Sequence, residues 1–69
     1  MSSRVRRCVG ILRDHGFEQI GQRGSHIVMQ KRATETTYTA VVPNHREIGV
    51  GTLKSIIKQS GLPGGLFEE

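Results

Sequence analysis

A chain of 69 residues, 35% of them hydrophobic and 4% aromatic, can build one thin hydrophobic layer and no enclosed cofactor cavity. A domain of this size hides only roughly 60% of the surface that its unfolded chain exposes. Nine Gly and two Pro without any repeat exclude a fibrous chain and suit a single globular domain over residues 1–69. Ten Lys and Arg against six Asp and Glu, a formal charge of +4, favour a polyanionic partner such as RNA or DNA.

The single cysteine, Cys8, cannot close an internal disulfide, so the expected compartment is the cytoplasm. Apolar runs do not exceed three residues (Ile27 to Met29), which leaves no membrane span and no signal-peptide core.

In chain order, Val5, Cys8, Val9 and Leu12 recur at i, i+3, i+4 and i+7 and predict a helix from Ser3 to His15, capped by Ser2 or Ser3 and closed by a left-handed Gly16. A brief strand follows over Phe17–Gln22, anchored by Phe17 and Ile20, and ends in turn signals at Gly21 and Gly24. His26 to Lys31 alternates, with His26, Val28 and Gln30 on one side and Ile27, Met29 and Lys31 on the other. Arg32 to Thr36 connects it to a strand over Thr37–Val42, rich in β-branched residues, as an antiparallel hairpin. Pro43 and Asn44 end that strand, and His45 to Gly51 reads as a polar approach to a second helix. That helix starts at Gly51 or Thr52, buries Leu53, Ile56 and Ile57, and stops at Gly61-Leu62-Pro63. The tail from Gly64 to Glu69 is expected to be loose apart from Leu66 and Phe67 docking on the core. The fold class is therefore α+β, in the order α-β-β-β-α, with two helices on one face of a three-stranded antiparallel sheet.

Chemistry concentrates at Gln22-Arg23-Gly24-Ser25-His26. The Arg23 guanidinium and the amides around Gly24 can hold a phosphate, with the His26 imidazole beside it. Imidazole titrates near neutrality and can take or give the proton of a ribose hydroxyl. The plainer alternative is a glycine-shaped turn followed by an exposed polar strand residue. His45, after Pro43 and Asn44, can act as a second acid or orient His26, with Ser25 as a further candidate auxiliary; the plainer reading of His45 is a loop histidine bonded to backbone. Lys31, Arg46 and Lys54 complete a set of candidate phosphate contacts. His15 suits the negative end of the first helix and receives no catalytic part. Cys8, His15, His26 and His45 match no zinc spacing, and the six carboxylates form no pair expected of a divalent-ion cage, so an enzyme here is expected to work without metal or cofactor. Gly49-Val50-Gly51-Thr52 before Lys54 is a plausible anion site at a helix N-terminus, but it lacks the Gly-Lys-Ser/Thr ending of a P-loop and reads equally as a flexible cap.

His15-Gly16-Phe17, Gly24-Ser25-His26, Val42-Pro43-Asn44-His45 and the run from Gly51 to Leu62 follow one another in an order and spacing that resembles the HicA toxin family, over nearly the whole chain. Its members are small ribonucleases of bacterial and archaeal toxin–antitoxin pairs. The resemblance implies a fold like the double-stranded RNA-binding domain, cleavage of mRNA with inhibition of translation and growth, and His26 as the catalytic residue. It also implies a HicB-like antitoxin that binds and masks the toxin, with DNA binding assigned to the antitoxin. Many members carry a second His directly after the first; this chain has Ile27. An RNA-binding module without catalysis is the alternative of another class. A DNA-binding regulator fits less well, because the two helices are separated by the sheet and cannot form a helix-turn-helix.

Overall fold

A computed structural model describes residues 1–45 and 47–68 of the protein. Its elements are α1 (Ser3–Asp14), β1 (Glu18–Arg23), β2 (His26–Arg32), β3 (Thr37–Pro43), α2 (Val50–Ser60) and a closing 3-10 turn over Gly64–Phe67. This is the expected α-β-β-β-α order.

Local chemistry sets the ends of α1. The Ser2 hydroxyl accepts the Val5 amide at 3.2 Å, and the chain leaves the helix through Gly16 at φ +95, where the Phe17 amide still reaches the Leu12 carbonyl. The stripe Val5, Cys8, Val9 and Leu12 is buried throughout.

The sheet runs in the order β1-β2-β3 and both pairings are antiparallel. Ile27 and Met29 of β2 lie opposite Val42 and Ala40 of β3, and these four side chains face α1 and α2. Phe17, Ile56 and Phe67 join the same cluster. Burying each such large aliphatic or aromatic side chain stabilises the fold by about 1.5–3 kcal/mol before entropy is counted. The opposite face of the sheet is left open, with His26, Val28 and Gln30 upon it. No helix among the described residues is long and apolar enough to cross a membrane.

Four local expectations are corrected. Every residue of β1 is exposed, and Ile20, expected as an anchor, is 55% exposed. The register explains it: Gln19 pairs with Met29 and Gly21 with Val28, so Ile20 is the extra residue of a bulge and leaves the inward alternation. Ile48, inside the supposedly polar approach, is buried in the core. Helix α2 begins at Val50 on a Gly49 cap that makes no side-chain bond, rather than at Gly51 or Thr52. In the tail Phe67 docks but Leu66 stays exposed, and the Arg7 guanidinium donates to the carbonyls of Phe67 and Glu68, tying down a segment expected to be loose.

Candidate catalytic site

Strands β1 and β2 are joined by only Gly24 and Ser25, with Arg23 and His26 paired across the turn. Gly24 takes φ +56 while Ser25 keeps a negative φ, the sign pattern of a II′ hairpin turn, which suits glycine at its first central position. The Gln22 carboxamide donates to the Gly24 carbonyl at 3.1 Å and steadies the turn.

The third strand closes the site. His26 lies opposite Pro43, so β3 ends beside the turn, and the Asn44 amide donates to the Ser25 carbonyl. His45 is thereby brought to the turn: its Nε2 lies 3.3 Å from Ser25 Oγ, and its ring stands edge-on to that of His26 with centroids 6.3 Å apart and planes at 63°. The two imidazoles thus come from different strand ends and meet at one corner. Residues paired directly across strands share a face, so Arg23 stands on the open side together with His26. Arg23, Gly24, Ser25, His26 and His45 are all exposed.

The remaining expected contacts do not gather here. Lys31 is five residues along β2 from His26, about 17 Å at strand rise, and on the other face, where its aliphatic stem covers Gly16. Strand alternation puts it there, so Lys31 does not join this corner. Lys54 is exposed on α2 but sits one turn inside the helix, because the helix starts earlier than expected. Arg46 lies outside the described residues. His15 caps α1, its Nδ1 2.9 Å from the Ile11 carbonyl oxygen.

One contributor escaped the sequence reading: the Asn44 backbone amide, which ties β3 to the turn. Ser25, a candidate auxiliary from the sequence, lies against His45 as well as shaping the hairpin. Position 27, where a second His is common in the resembling family, is 2% exposed and points into the core, so a polar ring there would lie away from the corner. Among the described residues no three of His, Cys, Asp and Glu gather as a metal-binding group. Cys8 is a core residue whose thiol is pushed up to about 11 by burial, with the charge of Arg7 pulling weakly the other way.

The corner is an open rim. A hollow beside it is lined by Ile20, Gly21, Gln22, Arg23 and Val28. A more apolar cavity of about 220 Å³ lies on the helix side among Arg4, Arg7, Cys8, Ile11, Ile48, Leu53 and Phe67, away from the imidazoles. Small-molecule sites are usually enclosed and apolar, so a pair of imidazoles on an exposed rim suits a polymer that passes over the surface.

No curated protein and no solved structure matches the chain. Residues 5–62 match a family described as the HicA toxin of bacterial toxin–antitoxin systems, a span that runs from the first buried residue of α1 to just past the end of α2 and contains the whole corner. The chain therefore belongs to the HicA toxin family, and its role is that of the toxin in a toxin–antitoxin pair.

Proposed function

We propose that the protein is an endoribonuclease of the cytoplasm that cleaves mRNA without a metal ion and so inhibits translation and growth, with His26 as its catalytic residue and residues 1–69 acting as one domain. The observation that supports this best is the solvent-open His26 imidazole, held at a two-residue turn with the Arg23 guanidinium on the same face. Arg23 and the amides of the Gly24 turn would hold the phosphodiester, and the imidazole would move the proton of the ribose hydroxyl beside it. An RNA's own 2′-hydroxyl is already placed against the adjacent phosphate, so a base at this position is sufficient to start transesterification. DNA, which lacks that hydroxyl, would not be cut.

A HicB-like antitoxin would silence the toxin by covering the open face around His26, since a rim site is closed most simply by a partner laid over it. The chain's surplus of positive charge suits an acidic partner surface, which speeds assembly.

The test is cleavage of RNA by purified protein in the presence of EDTA. His26→Ala is expected to keep the circular dichroism spectrum and to lose about 100- to 10,000-fold in rate, the usual cost of removing a general acid or base. A folded His26→Ala protein with near-normal cleavage overturns the assignment. Unsubstituted protein that retains RNA on a filter yet leaves it intact would make the chain an RNA-binding module instead.

A further inference from the structure

We infer that His45 is a second catalytic residue, the acid that protonates the leaving 5′-oxygen, and that Ser25 positions its ring for that task. The inference rests on the ribonuclease reading above and assigns the half of the reaction that His26 alone leaves undone.

Cleavage by a 2′-hydroxyl needs a proton removed at one oxygen and a proton supplied at another. The bond from O2′ to phosphorus forms as the bond from phosphorus to O5′ breaks. The proton of the 2′-hydroxyl goes to His26, and a proton from the His45 imidazolium goes to O5′. The products are a 2′,3′-cyclic phosphate and a 5′-hydroxyl, and proton exchange with water resets both rings. One imidazole cannot easily serve both oxygens at once, because they lie on opposite sides of the phosphorus during in-line displacement. Two imidazoles from separate strand ends can.

The geometry meets this requirement. The rings are 6.3 Å apart between centroids and inclined at 63°, so they do not stack, and each can reach a different oxygen of one phosphodiester. An imidazolium donates from both nitrogens. Ser25 Oγ, 3.3 Å from Nε2, takes one of these hydrogens and leaves Nδ1 to deliver the other. The Asn44 amide bonded to the Ser25 carbonyl fixes the distance between the turn and the strand end that carries His45. His26 stands on the face it shares with Arg23, where a phosphate bound by the guanidinium would present its neighbouring ribose, and takes the part of base.

The experiment compares two RNA substrates, one with the ordinary 5′-oxygen at the cut and one with a bridging 5′-sulfur, which departs as a thiolate without being protonated. His45→Ala and His45→Gln are expected to cleave the oxygen substrate about 100- to 10,000-fold more slowly and the sulfur substrate near the rate of the unsubstituted protein. His26→Ala is expected to stay slow on both. Ser25→Ala is expected to lose part of the rate on oxygen, chiefly in kcat rather than KM, and to recover it on sulfur. A His45 variant that is unimpaired on oxygen, or equally slow on both substrates, overturns the inference while leaving the ribonuclease reading intact. Unsubstituted protein that cuts neither substrate, or that leaves a 5′-phosphate by mass spectrometry, overturns both.

Discussion

Gly24 and Gly61 hold nearly the same left-handed backbone, at φ +56 and φ +69, in opposite surroundings. A Cβ on Gly61 would stand 2.7 Å from Tyr38 Cε1, whereas one on Gly24 would meet nothing within 4 Å. Gly61 closes α2 against the sheet, and Gly24 lies at the tip of the candidate site. Backbone conformation alone demands glycine at the tip, while at the end of α2 the packing demands it as well. The molecule is therefore tightly filled where helix meets sheet and open around the turn that carries the candidate site.

Paired substitutions test that contrast. The larger effect is expected from Gly61→Ala, which incurs the left-handed cost of about 1–2 kcal/mol and must also displace the Tyr38 ring. Urea unfolding should show a loss beyond that range. Gly24→Ala should lose no more than the left-handed cost of about 1–2 kcal/mol in the same assay, yet lower RNA cleavage by disturbing Ser25 and His26. Equal losses of stability at the two positions would break the contrast.

The smallest effect concerns the filled side and pH. The Cys8 thiol has its ordinary value of 9.0 in the unfolded chain and about 11 in the fold, because burial disfavours the thiolate. The unfolded chain thus loses the proton first, and the contribution of Cys8 to stability should be constant below pH 9 and fall as the pH rises toward 11. Replacing Cys8 by Ala should flatten that decline; a decline unchanged in Cys8→Ala would assign it to other groups.

The helices were legible because their signals are local. The stripe of α1 repeats at helical spacing, and Ser2 and Gly16 mark its ends chemically. The core of β2 was equally legible from its alternation, which places Lys31 beside Ile27 and Met29, away from His26. The corner itself was half legible. Once β2 and β3 pair with Lys31 opposite Tyr38, antiparallel counting brings His26 opposite Pro43, and His45 must lie close to it. What no pattern announces is the bulge at Ile20, since an inserted residue looks like any other until its partner strand is aligned. Ile48 was hidden for a related reason: one apolar residue in a polar connection has no periodicity to betray it.

That bulge also bears on how the chain avoids its own copies. A three-stranded sheet has two edges, and a flat edge is a template on which another strand can add. On one side the extra residue at Ile20 breaks the ladder of β1 and bends it, while Arg23 puts charge at its end. On the other side α2 lies along β3, and the Gln59 carboxamide accepts the Val41 amide at 3.1 Å, occupying a donor that an incoming strand would need. Each edge is blunted by a different device. A toxin parted from its antitoxin thus carries, on each sheet edge, a feature that opposes edge-to-edge strand addition.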